Sequence, residues 1–569
     1  MNIAAPVSVI PAASDHAASL TNRLSWQEVL FVPRLDRLAL LRLKANWQLD
    51  IFTLNVHRNH AFEPVARPLQ SFLEFAGLET LPAIGDYDDA LSFAGYRAAD
   101  ADLIWLDFTR YEGPGDNIAQ WLSGRIQALG AAGARRIIIA NWADGGGRGE
   151  TFNAALGALA EKNPLLTVLD VAGIAADLGE GMWDARRTAL AGTRLSDQGC
   201  LRSARALGAL LATLLQQNIK AIAVDLDNSL YQGVLGEQGV DGVVLTDGHR
   251  AVQQKLVVLS EKGIFLVCVS RNEPEDVKAL FAARADFPLQ AKHFVDWRVS
   301  WGSKASAIRA AAEKLRIATN AFLFLDDNPG ELMAVGHDAP DVQLMFAKTA
   351  SQSVTALACY PRLWPLKTAA TDLLRVADSR ANEARERMTD TITDPRAYVA
   401  ALDVALEVAA GREETVERLH DMSRKTNQFN IALRRFGVKD VMTYIGAPGR
   451  GVATVALKDK LSDSGIIAAV FVTRHGDEVV VDELCISCRA MGRHLEDLIV
   501  VSALEALAGG AKSIRFDYRR APRNTPALEW LARFSGRPVE GEEGSVAMSW
   551  GPDKAEAILS QWPVAVCGI

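Results

Sequence analysis

Residues 221–237, AIAVDLDNSLYQGVLGE, decide the fold of the central part of the chain. Residues 222–224 form a continuous apolar run, which is typical of a strand buried on both faces. Asp225 and Asp227 follow this run, where a parallel sheet ends and a loop begins. Open α/β sheets place their chemistry at that edge. Because residues i and i+2 of a strand share a side, both carboxylates can reach one metal ion or phosphate.

Three later stretches carry polar residues at the end of a strand or the start of a helix. Residues 263–273, GIFLVCVSRNE, predict a second buried strand. Residues 301–315, WGSKASAIRAAAEKL, predict an amphipathic helix with a lysine at its start. Residues 321–332, AFLFLDDNPGEL, predict a third buried strand that ends in two aspartates. The order of these stretches predicts one site assembled from four loops.

Asp-x-Asp-x-Ser and the three later stretches resemble the four motifs of the haloacid dehalogenase (HAD) superfamily of phosphatases and phosphotransferases. The resemblance implies that Asp225 is the nucleophile that takes the phosphoryl group and Asp227 the acid and base. It implies that Ser270, assisted by Asn272, holds a phosphate oxygen and that Lys304 neutralises charge. The implied cofactor is Mg²⁺, because this ion prefers oxygen ligands. The implied ligands are Asp225, the backbone carbonyl of Asp227, and one of Asp326 or Asp327.

Composition limits the class of protein. The chain has 569 residues and 49% hydrophobic content, which predicts three or four domains. A net charge of -8 argues against nucleic acid or a membrane surface as partner. No apolar run reaches the roughly 18 residues that span a bilayer. The first 20 residues make a poor signal peptide, so we expect a cytoplasmic protein.

The N-terminal third is predicted to be a flexible lead-in, residues 1–25, followed by an α/β domain, residues 26–217. Strands and helices alternate here, which indicates a parallel sheet with helices on its faces. The order is similar to that of SGNH hydrolases. However, it lacks their Gly-Asp-Ser nucleophile, and residues 196–199, SDQG, lack their late histidine. We therefore expect a non-catalytic scaffold or partner platform.

Residues 218–365 are predicted to form the HAD-like core. The segments between its motifs are too short for the inserted cap domain that encloses small substrates in many HAD enzymes. We therefore expect an open site that admits a group carried on something large. Residues 366–394 read as a charged helical linker.

Residues 395–569 resemble the acyl-CoA-binding core of the GNAT acyltransferases, an α+β fold. In that family a glycine loop and a helix N-terminus hold pyrophosphate. The corresponding loop here contains Arg489, Gly492 and Arg493, but His494 replaces the usual small residue. The pair Cys485 and Cys488 lies in a strand-like run, which favours structural cysteines over a zinc site.

Taken together, VDLDN, SRN, WGSK, DDNP, TNQFN, SCRAMGR and RNTPA resemble the FkbH-like family of polyketide pathways. The resemblance implies that 1,3-bisphosphoglycerate loses phosphate and leaves a glyceryl thioester on the phosphopantetheine arm of an acyl carrier protein. The substrate-binding residues it implies are Ser229, Arg271, Asn272, Asn427, Arg489, Gly492 and Arg493.

The chain departs from the family pattern in four places. Ser229 replaces a threonine, and Arg271 stands where lysine is common. Val269 occupies a position that is commonly cysteine, while Cys268 lies one residue earlier. The fourth departure is His494, which replaces the usual small residue of the glycine loop.

Three function classes remain open at this point. The first is a transferase that loads a glyceryl or related acyl group onto a carrier protein. The second is a Mg²⁺-dependent phosphatase whose C-terminal domain is structural. The third is a binding subunit whose HAD-like site has lost its role.

Overall fold

A computed structural model describes residues 13–144, 146–366, 394–426, 428–487, 490–491 and 493–568, with single positions at 381, 385, 388, 391 and 392. The chain divides into two units, Met1–Thr368 and Ala369–Ile569. Both are built from sheets with helices packed on them, so the chain is a multi-domain mixed α/β protein, as predicted. None of the helices in the described ranges is long and apolar enough to cross a membrane.

The first unit contains twelve strands and fourteen α-helices in its described residues. The strands are β1 (Asp50–Ile51), β2 (Leu54–Arg58), β3 (Leu78–Glu79), β4 (Ala83–Tyr87), β5 (Ala101–Trp105), β6 (Ile137–Ala140), β7 (Leu166–Leu169), β8 (Ala221–Val224), β9 (Phe265–Ser270), β10 (Phe294–Val299), β11 (Phe322–Asp326) and β12 (Gln343–Phe346). The helices are α1 (Ala13–Leu30), α2 (Arg37–Arg42), α3 (Glu63–Phe75), α4 (Gly115–Ala131), α5 (Gly147–Lys162), α6 (Val171–Leu178), α7 (Arg186–Ala191), α8 (Asp197–Leu215), α9 (Leu235–Gly242), α10 (Asp247–Glu261), α11 (Pro274–Ala283), α12 (Lys304–Lys314), α13 (Pro329–Asp338) and α14 (Ala350–Cys359).

The N-terminal part of this unit is a five-stranded parallel sheet in the order β4-β2-β5-β6-β7. Strand β6 is fully buried, as its run of isoleucines predicts. Strand β4 was not predicted, because most of its residues are exposed and its sequence carries no apolar run. It lies at the sheet edge, where a strand needs only one partner.

The prediction of a flexible lead-in over residues 1–25 is wrong from residue 13 onwards. Residues 13–30 form helix α1, which buries Leu24, Trp26 and Leu30. Gln27 Nε2 donates to the carbonyl of Leu344 at 2.9 Å, and the amide of Phe346 donates to Gln27 Oε1 at 2.9 Å. The helix is thus held by strand β12, more than 300 residues away in sequence, which local sequence patterns do not reveal. Residues 1–12 lie outside the described ranges.

The HAD-like part is a second five-stranded parallel sheet, in the order β10-β9-β8-β11-β12. The apolar run of β8 is fully buried at the centre of this sheet. Residues 221–346, which the structure describes without a gap, contain no inserted cap domain. Buried residues of both sheets, such as Leu54 and Ile222, belong to one hydrophobic core. The boundary predicted at residues 217 and 218 therefore falls inside a single unit.

The second unit has a seven-stranded mixed sheet in the order β18-β17-β16-β15-β14-β13-β19. Its strands are β13 (Ala405–Ala410), β14 (Arg450–Lys458), β15 (Asp463–His475), β16 (Glu478–Ile486), β17 (Ser513–Arg519), β18 (Glu543–Ser549) and β19 (Ala565–Cys567). Its helices over the described residues are α15 (Pro395–Leu402), α16 (Val416–Lys425), α17 (Val438–Gly446), α18 (Glu496–Leu507), α19 (Thr525–Ser535) and α20 (Pro552–Leu559). Most of the predicted linker, residues 366–394, lies outside the described residues.

Strands β16 and β17 pair in parallel only over their first four residues. Beyond that point residues 429–431 lie between them, held by backbone hydrogen bonds on both sides. The amides of Ile486, Ile431 and Arg519 donate to the carbonyls of Phe429, Leu484 and Ile431 at 2.9, 3.2 and 2.8 Å. The gap between the diverging strands is therefore filled by the chain itself.

Candidate active site

The site lies at the carboxyl edge of the HAD-like sheet and is centred on Lys304. Ser303 caps helix α12 by accepting from the amide of Ser306, which places Lys304 in the first turn. Lys304 Nζ donates to Asp225 Oδ1 at 2.8 Å and to Asp326 Oδ2 at 2.6 Å. The two aspartates end or follow the adjacent strands β11 and β8. Residues far apart in sequence thus meet at one point, as the four motifs predict.

Burial controls the charge of these groups. It raises the pKa of Asp225 to about 7; Asp326 and Asp227 add repulsion, while Lys304 opposes the rise. Burial also raises the pKa of Asp326 and of Asp327. For Lys304, burial acts to lower the pKa, but the two carboxylates outweigh it and the pKa is raised. The site therefore holds a charged ammonium group beside carboxylates, and this one positive charge is not enough to neutralise them.

Three carboxylates form a candidate metal centre. One oxygen from each of Asp225, Asp326 and Asp327 lies within 4.8 Å of the others. When all three carboxylates are ionised, a single lysine leaves two negative charges uncompensated, and a divalent cation would supply the missing positive charge. Oxygen donors from two loops suit Mg²⁺, which takes few carboxylates and keeps several waters. The residues fit this ion. The side chain of Asp227 is not part of this cluster and accepts from Tyr231; its backbone carbonyl stays the predicted ligand.

Asp227 is held by three donors. Tyr231 Oη donates to its Oδ1 at 2.7 Å, and the amide of Leu235 donates to the same oxygen at 2.9 Å. Asn272 Nδ2 donates to Oδ2 at 3.0 Å and to Ser270 Oγ at 3.1 Å. Together these donors fix the position of the Asp227 side chain.

Tyr231 is a site residue that the motifs did not identify. Its ring is fully buried, and burial and the Asp227 carboxylate raise the pKa of its hydroxyl far above the usual value. The hydroxyl therefore stays protonated and donates. In the sequence, the sign of this role was that Tyr231 lies four residues after Asp227. That spacing indicates a contact only once the conformation of the loop is known.

The remaining predicted residues of the first unit lie around this centre. Ser270 and Asn272 are buried at the end of β9. Ser229 is 1% exposed, and its hydroxyl has no hydrogen-bond partner among the described residues. Arg271 is half exposed and pairs with Glu331 at 3.0 Å. Ser229 thus lies inside the loop, whereas Arg271 lies at the site's outer rim.

The cysteine of strand β9 is remote from solvent. Cys268 is fully buried, and burial raises the pKa of its thiol well above the usual value. A buried neutral thiol is a poor nucleophile. This agrees with the departure noted at residues 268 and 269.

The second unit places only one of its four predicted binding residues in the described ranges. Asn427, Arg489 and Gly492 lie outside them. Arg493 has a side chain only 3% exposed and pairs with the fully buried Asp459 at 3.1 Å. Arg385 pairs with the same carboxylate at 2.7 Å. Arg493 therefore takes part in an internal ion pair in this structure.

Comparison with known proteins gives fold likenesses only. No family model matches the chain, and no curated protein matches it. Among solved structures, it is similar to the N-terminal part of BF1531 from Bacteroides fragilis, which contains a phosphatase domain and is complexed with Mg. The identity is 16% and the TM-score 0.46, over 62% of this chain and 98% of that one.

Two acetyltransferase structures are similar to shorter parts of the chain. The GNAT domain of S. lividans PAT matches at 16% identity and a TM-score of 0.20, over 25% of this chain and 89% of that one. The ribosomal-protein-S18-alanine N-acetyltransferase from Escherichia coli matches at 11% identity and a TM-score of 0.20, over 26% and 97%.

Proposed function

We propose that this chain is a Mg²⁺-dependent HAD-type transferase. It converts 1,3-bisphosphoglycerate, or a related acyl phosphate, into a glyceryl thioester on the phosphopantetheine arm of an acyl carrier protein. One observation carries the proposal: Asp225 and Asp326 meet at Lys304, and Asp327 joins them in one carboxylate cluster, at a sheet edge that no inserted domain covers. The resemblance to the FkbH-like family supports the choice of substrate and partner.

The atom balance requires two separate phosphate losses. A glyceryl thioester carries neither phosphate of 1,3-bisphosphoglycerate. At carbon 1 the arm's thiol attacks the acyl carbon, the carbon–oxygen bond breaks, and the thiol's proton ends on the released phosphate. An acyl phosphate is already activated, so this step mainly needs orientation and charge neutralisation. At carbon 3 a phosphate ester must be hydrolysed, which is the task of the HAD-like site.

Asp225 and Asp227 divide the ester hydrolysis between them. An oxygen of Asp225 bonds to phosphorus, the ester oxygen leaves, and Asp227 supplies its proton. Water then attacks the aspartyl phosphate and gives its proton to Asp227, which is thereby ready for the next turnover. The three donors around Asp227 hold its side chain in place for both proton transfers.

Lys304 and the implied cation neutralise the remaining charge. Lys304 already bridges Asp225 and Asp326, so it keeps the nucleophile oriented and offsets the charge of an incoming phosphate. Mg²⁺, held by Asp225, Asp326 and Asp327, supplies Lewis-acid stabilisation of the phosphoryl oxygens when bound.

The rim of the site supports an acceptor delivered from outside. Trp301 is 67% exposed and its indole Nε1 donates to Glu273 at 2.8 Å. Arg271, which follows Ser270, has a half-exposed guanidinium that pairs with Glu331, and this cation can also meet an anionic group of the substrate. An aromatic surface and a cation beside an uncovered site suit a flexible arm that carries the acyl acceptor.

A plain Mg²⁺-dependent phosphatase is the second candidate. It is favoured by the second unit, where residues 429–431 fill the gap between β16 and β17 and Arg493 is committed to Asp459. Under this alternative the second unit is structural, and phosphate is released without any transfer to a carrier protein.

The deciding experiment measures carrier mass and phosphate together. The full chain is incubated with Mg²⁺, 1,3-bisphosphoglycerate and a carrier protein that bears its arm, with the arm-free carrier as control. We expect a glyceryl thioester on the armed carrier only, and two phosphates for each carrier loaded. The Asp225→Asn variant should leave the thioester heavier by one phosphoryl group, because only the ester hydrolysis is lost.

The two candidates give different outcomes. Phosphate release with an unmodified armed carrier would support the phosphatase and overturn transfer. Hydrolysis of the carbon-3 phosphate ester that survives exhaustive chelation of divalent ions would contradict both, since each needs the cation at the three carboxylates.

A further inference from the structure

A cavity in the N-terminal sheet lies at a position that favours ligand binding. The chain passes from β2 outward to β4 and then returns to β5 on the other side of β2, so the strand order reverses between β2 and β5. Open parallel sheets bind ligands in the crevice beyond such a reversal. His60 follows β2 and Trp105 ends β5, and their rings stack with centroids 5.5 Å apart and planes 14° apart. The stacked pair thus lies at the reversal point.

The walls of this cavity are flat and mostly apolar. It is partly open to solvent and is lined by Trp105, Phe108, Trp142, Trp183 and Leu195 among others. Aromatic walls of this kind favour a planar guest.

A tight turn brings one wall close to the stacked pair. The amide of Ala61 donates to the carbonyl of Gly192 at 3.0 Å. Gly192 has φ 65°, and a Cβ there would lie 3.1 Å from the Cβ of Ala61. Only glycine accommodates this approach, which carries Thr193 and Arg194 to the cavity.

The charges around the cavity are already matched. Arg194 lies over the Trp183 ring, with its Cζ 4.8 Å from the centroid. It is 3.3 Å from Asp144 and 3.7 Å from Asp107. The two other arginines near His60 are paired in the same way, Arg58 with Glu63 and Arg110 with Asp89, each at 2.7 Å. A charged ligand would therefore find no uncompensated partner here.

The His60 ring is neutral and unengaged. Burial lowers its pKa to about 4, Asp107 opposes this, and the surrounding arginines lower it further. A neutral imidazole offers one donor and one acceptor. Within the described ranges the His60 ring stacks on Trp105 and has no hydrogen-bond partner. The buried indole N–H groups of Trp105 and Trp142 also have no partner there, and unpaired buried donors cost free energy.

We propose that this cavity binds an uncharged, planar nitrogen heterocycle that stacks on the His60–Trp105 pair and hydrogen-bonds to the imidazole. The matched ion pairs select against ions, the aromatic walls select a ring, and the neutral imidazole selects a ligand with both a donor and an acceptor. The proposal is independent of the chemistry at Asp225.

The test compares two ligands that share one ring. Nicotinamide is uncharged, whereas nicotinate carries a carboxylate in place of the carboxamide. Binding to the full chain is measured by calorimetry and by ligand-observed NMR, with adenine and cytosine as further neutral rings. We expect at least one neutral ring to bind, and nicotinate to bind at least about ten-fold more weakly than nicotinamide.

Variants locate the binding. His60→Ala should weaken binding by about ten-fold or more, and Ala143→Phe should abolish it by filling the cavity. His337→Ala, at an exposed histidine of the same unit, is the matched control and should leave binding unchanged. Asp225→Asn should also bind normally. Thermal unfolding identifies any variant that fails to fold.

Three results would overturn the proposal. One is the absence of binding by all three neutral rings at millimolar concentration. Another is nicotinate binding as tightly as nicotinamide. The last is binding that persists unchanged in folded His60→Ala and Ala143→Phe proteins.

Discussion

The centre around Lys304 and the interior of the second unit both bury charged groups, but they balance charge differently. Around Lys304, three carboxylates face one ammonium group, and two negative charges lack a partner. In the second unit, the buried Asp459 carboxylate is paired with Arg385 and Arg493. Three acids beside one ammonium group leave a place for a cation, whereas two guanidinium groups around one buried carboxylate hold parts of the fold together. The comparison therefore distinguishes a candidate functional site, around Lys304, from an ion-pair cluster that stabilises the second unit.

The largest expected effect is at the centre around Lys304. Asp225→Asn should lower hydrolysis of the phosphate ester by more than the roughly 10⁴-fold upper range of general acid–base catalysis, because it removes the nucleophile itself. The rate is measured as inorganic phosphate released from a phosphate ester that carries no acyl phosphate, at saturating ester and Mg²⁺. Asp276→Asn, at an exposed carboxylate of helix α11, is the control and should retain full rate. Near-normal turnover in folded Asp225→Asn would remove the basis of the comparison.

The acid and base should come next. Asp227→Asn should reduce the rate by about 10²–10⁴-fold, since the proton carrier is lost while the nucleophile remains. A leaving group that needs no proton, such as a nitrophenolate, should recover part of this loss in the first step. Equal losses with both leaving groups would argue against a proton role for this residue.

The ion pairs of Asp459 in the second unit predict a loss of stability and no direct loss of activity. Asp459→Ala leaves two buried guanidinium groups without this carboxylate, and breaking a buried pair in this way costs about 3–5 kcal/mol. Urea unfolding of the full chain measures the change, with Glu505→Gln, at an exposed position of helix α18, as control. If Asp459→Ala unfolds like the parent, the ion pair does not stabilise the second unit, and the binding prediction for Arg493 regains support.

The smallest effect sharpens the role of Tyr231. Tyr231→Phe keeps the buried ring but removes one donor to Asp227, and a hydrogen bond to a charged group is worth roughly 1.5–3 kcal/mol. We expect the rate to fall by about ten-fold or somewhat more. Tyr360→Phe removes a hydroxyl that donates to the backbone of Leu344 at 3.0 Å, away from the site. That control should lose stability with little change in rate; similar rates in both variants would contradict the assignment.

Local sequence patterns were sufficient to predict the buried strands β8, β9 and β11 and the polar residues at their ends. The apolar run of such a strand and the polar residues that follow it are adjacent in sequence. Motif order then brought Asp225, Lys304 and Asp326 together, although 79 residues separate the first two. The parallel N-terminal sheet was also predicted from alternation alone.

Features that depend on contacts between distant segments were not predicted. Arg493 looked like a loop residue suited to phosphate, and only the fold shows Asp459 beside it. Helix α1 looked like a lead-in because its partner, β12, lies at the far end of the unit. The filling of the β16 and β17 gap by residues 429–431 depends on a register that no local pattern contains.

The contact between Gln27 and β12 has consequences for the recombination of the two sheets in evolution and for aggregation. Its amide side chain supplies both a donor and an acceptor to the outer backbone of an edge strand, as a neighbouring strand would. Without it, the exposed edge is a template for pairing with a second molecule. A fragment that begins at residue 218 would retain every carboxylate of the Lys304 centre and yet expose this edge. The two sheets are therefore poor candidates for separate recombination, and the N-terminal helix acts as a built-in protection of the catalytic sheet against self-association.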